Sequence, residues 1–304
     1  MQSQPESVSS HPSPHHAAQR IGFAAMLASN LCLAFGPWFV RLADTGPVAA
    51  GFWRLALAAP VLLVLSPLAR QPFTRIPPAL VVTIAIGGLL FAADLASWHL
   101  GILHTKMANA TLFGNATSLM FPIYGFLVAR AWPTRMQGIA FGLATLGTLL
   151  LMGRSYELSA NNLLGDLLCL FAGVLYTCYF IAIERARATL QPLPLLALCT
   201  IAAILPMLLF ALALGERVMP QHWSALIGLA LLSQVIGQGL IVYAIGVLPP
   251  VVIGLGLLTQ PMIAAVVGWF AYDERLGTLD IVGAVAIAIA LVLVRAPSRK
   301  AIAG

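Results

Sequence analysis

Asp94, Trp98, His99, Asn109 and Asn115 all fall within the run from Phe91 to Pro122, where a membrane-spanning segment needs only hydrocarbon. Ionisable and amide side chains are expensive in a bilayer, so they face a cavity or a partner. On a helix, Asp94, Trp98, Gly101 and Thr105 stand at i, i+4, i+7 and i+11 and share one face. In a cavity, Asp94 can pair with a substrate ammonium or carry a proton. Against a neighbouring helix it is only a hydrogen-bond acceptor. Thr111, Asn115, Ser118 and Pro122 form a second such face. Asn115 is both donor and acceptor, as a zwitterionic ligand requires, although amides also bridge membrane helices.

A second run, Gln234 to Pro261, echoes the first. A constant shift of 145 residues lays Gly101 on Gly246, Trp98 on Tyr243, Asn115 on Gln260 and Gly138 on Gly283. The two runs are therefore expected to be opposite walls of one substrate path. Gln238 follows Gln234 by four residues and extends a polar stripe into it. Aromatic residues that can stack on a substrate side chain are Trp38, Trp98, Tyr176, Tyr179 and Tyr243. Trp98 and Tyr243 lie near segment ends, where an interfacial belt explains them equally well. His99 is expected at the interface, and Arg54 is expected to reach a carbonyl or the interface by snorkelling, with direct carboxylate binding as its alternative. Pro122 and Pro261 follow the two amides and are candidate hinges, a static kink being the simpler reading.

The elements that position these residues are membrane helices. Apolar residues make up 60% of the chain, charged residues 9%, and mean hydropathy is +0.94. A soluble domain is about 25% charged. Ten segments are long enough to span, at roughly 17–25 residues each: 21–40, 48–66, 78–100, 107–129, 135–153, 163–183, 193–214, 222–246, 251–271 and 278–294. They predict an all-α integral membrane fold in two five-helix repeats, 21–154 and 155–296. Residues 1–20 read as a disordered cytoplasmic tail and 297–304 as a second tail. Five is odd, so the repeats must be inverted. With the N-terminus inside, ten Lys and Arg fall in inside segments and five outside, which places both termini in the cytoplasm.

Several function classes drop out. The basic residues form no face for nucleic acid. No GxxxxGK[ST] loop is present, so ATP is not the direct energy source. No HExxH or GxSxG marks an enzyme. Cys32, Cys169, Cys178 and Cys199 lie singly in apolar segments without a CxxC pair, and neither metal nor cofactor is expected. The partners expected are the lipid bilayer and a small solute, an amino acid or an amphipathic metabolite. The chain is compatible with a monomer.

Three local features carry a resemblance: Ala34-Phe35-Gly36-Pro37-Trp38, Phe52-Trp53-Arg54-Leu55, and Asp273-Glu274-Arg275-Leu276. With the ten segments, they make the chain similar to the drug/metabolite transporter superfamily in its ten-helix EamA-type branch. The likeness spans about residues 21–294. Ala129 stands where the first half would carry the matching acid, a departure from the pattern. Within the branch, the chain most resembles the bacterial inner-membrane exporters of aromatic amino acids. This resemblance implies a secondary transporter that moves aromatic and other neutral amino acids outward by alternating access. A proton-coupled multidrug exporter of cationic amphiphiles, using Asp94, is the alternative.

Overall fold

The computed structural model describes residues 14–105, 110, 113–130, 132–152, 161–260, 262–263 and 277–295. Helix α1 (Pro14–Ala34) breaks at Phe35 and resumes as α2 (Gly36–Leu42). Then come α3 (Pro47–Leu68), α4 (Pro78–His104), α5 (Thr117–Ala129), α6 (Arg135–Met152) and α7 (Leu163–Arg187). The chain continues as α8 (Pro192–Ala213), α9 (Ser224–Ile245), α10 (Pro250–Leu257) and α11 (Thr278–Arg295). Within α9, Leu229–Gly237 is wound as π-helix. Among the described residues, six helices are long and apolar enough to cross a membrane, α1 and α2 counting as one. Leu127, Val128, Leu205 and Leu212 point outward and stay exposed, which suits lipid and not water. The protein is an all-helical, multi-pass membrane protein.

Proline explains many of the boundaries. Pro47, Pro78, Pro192 and Pro250 each open a helix, and the residue before each is extended. The first helical position needs no N–H, and the ring disfavours helical geometry in the residue ahead of it. The α1–α2 break differs: Phe35 keeps helical angles, and the break falls just before Pro37, which has no N–H to offer the carbonyl one turn back. Helix α1 starts at Pro14, inside the stretch read as a disordered tail. Ala17, Ala18, Gln19 and Arg20 are good helix formers and carry the helix outward. Parts of the segments 107–129 and 251–271 lie outside the described residues, as does Pro261.

The helix contacts repeat across the halves. Helix α4 packs on α7 as α1 packs on α9, while α3 pairs with α8, α5 with α10, and α6 with α11. Exchanging the first five spans for the last five leaves this scheme unchanged, as a two-fold related pair of halves requires. Close approaches give the register. A Cβ on Gly22 would strike Val247 and Leu248, and one on Gly165 would strike His104 and Thr105. Both sets are 143 apart. Gln260 reaching Asn30, and Thr117 reaching Gly173, are 143 apart as well. The shift of 145 read from the sequence holds for α3 and α8, which start at Pro47 and Pro192. Around the polar residues it is two too large. The second half has two extra residues before its second helix and two fewer before the end of its third. Gln260 therefore corresponds to Thr117, and Asn115 to Leu258.

The α3–α8 pair shows the same reciprocity at its ends. Glu216, beyond α8, accepts hydrogen bonds from Val48 N (3.3 Å) and Ala49 N (2.7 Å) at the start of α3. Gln71, beyond α3, accepts one from Leu193 N (3.0 Å) at the start of α8. Each side chain satisfies N–H groups that a helix start leaves unbonded.

Candidate functional site

Between the halves lies a cavity of about 170 Å³. That is close to the size of an engineered cavity of about 150 Å³ that admits benzene, so the space suits a small solute. Six of the residues singled out in the sequence line it: Asp94, Trp98, Asn115, Tyr176, Gln238 and Gln260. Arg54, His99 and Thr117 join them, together with the apolar Phe91, Leu95 and Leu257.

Helix α4 supplies Asp94, Trp98 and His99. Asp94 is 8% exposed, and no hydrogen bond to its carboxylate occurs among the described residues. The face drawn from the sequence does not continue along the helix. Gly101 sits where a Cβ would stand 2.5 Å from Cys169 Sγ, and Thr105 donates to Asp166 Oδ1 at 2.6 Å. That end of α4 is committed to α7. His99 was expected at the interface and is instead buried at 1% exposure, with neither ring nitrogen hydrogen-bonded.

Most of the other polar groups are held by neighbours. Gln238 Nε2 donates to the Tyr176 hydroxyl at 3.2 Å. Gln260 Nε2 donates to Asn30 Oδ1 at 3.2 Å, and Asn30 is fixed in turn by Gly256 O (2.7 Å) and Thr259 Oγ1 (2.8 Å). Asn115 lies just before α5, and its carbonyl accepts from Ser118 N and Oγ. Gln234 does not reach the cavity. Wholly buried in the π-helical stretch, it accepts from Arg54 Nε at 2.9 Å and donates to Thr200 Oγ1 at 3.0 Å. Arg54 does not snorkel: it is 7% exposed, and its guanidinium lies 5.8 Å from the centroid of Phe91. Arg54 and Gln234 were legible only as polar residues in apolar spans, because direction around the helix is not written in a segment apolar on every side.

Three aromatic candidates stand elsewhere. Trp38 is 38% exposed and packs on Phe35 and Phe39. Tyr243 is half-buried near the end of α9 and does not line the cavity. Tyr179 is fully buried behind the wall, stacked on Phe91 at 4.7 Å, and its hydroxyl has no hydrogen-bond partner. Deleting that hydroxyl removes an unsatisfied buried group. Tyr179→Phe is therefore expected to keep transport at the wild-type rate and to leave stability unchanged or raised by about 1 kcal/mol. Thermal unfolding in detergent together with a transport assay checks this. Of the candidate hinges, Pro122 is buried in α5 against Gly254 of α10.

Family comparison agrees with this architecture. The model of the EamA-like transporter family matches residues 20–153 and again 163–296. The chain belongs to the EamA-like transporter family. Its two matched stretches are the two halves, consistent with an inverted repeat, and the family is one of transporters, not enzymes. Among curated proteins, this EamA-like chain is similar to the threonine/homoserine exporter RhtA of Escherichia coli K12 and of Salmonella typhimurium LT2. In both it is 27% identical over 239 residues, covering 71% of this chain and 80% of the relative. A crystal structure superposes on 93% of this chain and 99% of its own with a TM-score of 0.75 and 18% identity, which shows the fold alone.

Proposed function

We propose that this EamA-like transporter carries neutral amino acids outward across the bacterial inner membrane by alternating access. One observation carries the reading: a pocket between the halves whose wall combines Asp94, Asn115, Gln238 and Gln260 with the aromatic Phe91, Trp98 and Tyr176. Amides and a carboxylate suit the polar end of an amino acid, and aromatic faces suit its side chain. A substrate held where the two halves meet is reached from either side when the halves rock against each other. The similarity to an exporter of threonine and homoserine supports this class, and the aromatic wall extends it to larger neutral side chains. The lysine and arginine distribution supports both termini in the cytoplasm. The matched stretches support domain limits near 21–154 and 155–296.

The test is counterflow into liposomes holding the purified protein, with threonine, homoserine, phenylalanine and one cationic dye, with and without a pH gradient. Saturable exchange of neutral amino acids is expected without any gradient. Dye movement alone, driven by the pH gradient, overturns the reading in favour of a proton-coupled drug exporter.

A further inference from the structure

We propose that Arg54 is the carboxylate anchor of the cavity, and that Arg54 and Asp94 together restrict it to solutes bearing a carboxylate and an ammonium. The proposal rests on the amino-acid reading above and names what that site selects.

The argument starts from the cost of a buried arginine. Its guanidinium stays charged in proteins, so in a low-dielectric interior it needs an anion or a full set of acceptors. Arg54 has neither. Of its five N–H donors, only Nε–H is bonded, to Gln234 Oε1. Among the described residues its two terminal amino groups have no hydrogen-bond acceptor. Phe91 offers a ring face to the cation, but this is far weaker than an anion.

The nearest opposite charge on the same wall is Asp94, yet no ion pair joins the two among the described residues. They are set on different helices, α3 and α4, and both face the cavity. The two feel each other's charge across the cavity, but neither is hydrogen-bonded by the other. The Gln234–Thr200 relay explains why Arg54 does not swing to Asp94: it holds Nε–H and leaves the flat terminal fork unengaged. A carboxylate accepts that fork through two parallel hydrogen bonds, and an ammonium is the matching donor for Asp94. An α-amino acid brings both groups on one carbon.

The pair also rejects other solutes. A simple amine meets the uncompensated charge of Arg54, and a simple acid meets that of Asp94. Selectivity built on such repulsion accompanies attraction at specific sites.

The experiment measures binding and counterflow of threonine, threonine methyl ester and N-acetylthreonine on the full-length protein, for wild type, Arg54→Gln, Arg54→Lys and Asp94→Asn. Wild type is expected to prefer free threonine over either blocked form by about tenfold or more, the scale of one charge-assisted hydrogen bond. Arg54→Gln is expected to lose that margin over the ester, because free threonine binds more weakly while the ester, relieved of the guanidinium charge, binds better than to wild type. Arg54→Lys restores part of it, because the charge returns without the fork. Asp94→Asn is expected to erase the margin over N-acetylthreonine instead. Equal loss for acid and ester in Arg54→Gln overturns the anchor and leaves a structural role. The wild-type ligand series stands without any variant, so equal affinity for threonine and its ester overturns the proposal even if Arg54 variants fail to fold. If threonine exchanges without this pattern, the clamp alone fails. If no amino acid exchanges, the proposed function fails with it.

Discussion

The Gly254→Val variant is expected to lose its thermal stability and its transport together. Gly254 sits where α10 crosses α5. A Cβ there would stand 2.2 Å from Pro122 Cγ and 2.5 Å from both Pro122 Cδ and the carbonyl oxygen of Ser118. None of these atoms can move aside cheaply: two belong to a proline ring and one to helical backbone. Membrane helices associate through close packing of small residues, since lipid gives no hydrophobic drive between them. Forcing α5 and α10 apart is expected to cost on the order of 3 kcal/mol. The same movement displaces Asn115 and Thr117 at one end of α5, and Leu257 and Gln260 at the end of α10, all of which line the cavity. Gly138 provides the control. A Cβ on it meets nothing within 4 Å, so Gly138→Ala in α6 is expected to be neutral or mildly stabilising. Melting in detergent and counterflow in liposomes read both variants. A Gly254→Val protein that melts with wild type would mean that α5 and α10 do not pack as described.

The spans were legible because bilayer thickness imposes a length and an apolar composition that few other constraints imitate. Helix starts were legible at Pro78, Pro192 and Pro250 because proline acts locally. What failed was direction around the helix axis. Most spans are apolar on nearly every side, so no hydrophobic stripe marks which face turns inward. Arg54 lies seven residues into α3, shallow enough for snorkelling by length alone, and only packing shows that it turns toward α9. His99 is one residue from Trp98 yet also reaches the cavity wall. Tyr179, three residues from Tyr176, stands behind it. The repeat was visible but its register was not. Offsets of two residues cancel between helices, and too few identities remain to detect them. Pairing Asn115 with Gln260 set two cavity residues side by side without their being true counterparts.

The α2–α3 and α8–α9 connections stitch one half to the other, and cutting the stitches is the second change expected to have a large effect. Gly46 N donates to Arg217 O at 3.0 Å, and Trp53 Nε1 to Val218 O at 2.7 Å. Trp53 also meets Trp223 edge-on at 4.8 Å. Glu216 caps α3, and Asp44 Oδ2 accepts from Gln221 N (2.9 Å), His222 N (3.2 Å) and His222 Nδ1 (3.3 Å). Each of these contacts joins one half to the other, so the proposed alternating access is expected to break them when the halves rock apart on this side. Removing the Glu216 cap, worth about 1 kcal/mol, together with the Asp44 contacts is expected to shift the closed-to-open ratio by roughly fivefold or more. The measurement is the labelling rate of a Val40→Cys probe in the cavity wall by a membrane-impermeant maleimide, with the four native cysteines replaced. The Asp44→Ala, Glu216→Ala protein is expected to label faster by that factor, and an unchanged rate would show that these bonds hold structure without gating access. Partial desolvation raises the pKa of Asp44, but the hydrogen bonds from Gln221 and His222 outweigh it and hold the carboxyl below its ordinary value. A lowered pKa means that its share of the closure is complete above the normal aspartate range and is lost as pH falls through the lowered value. Normalised at each pH to a free-thiol standard, since the thiolate is the species that reacts, labelling of the parent probe protein is therefore expected to show no contribution from Asp44 between pH 5 and 8.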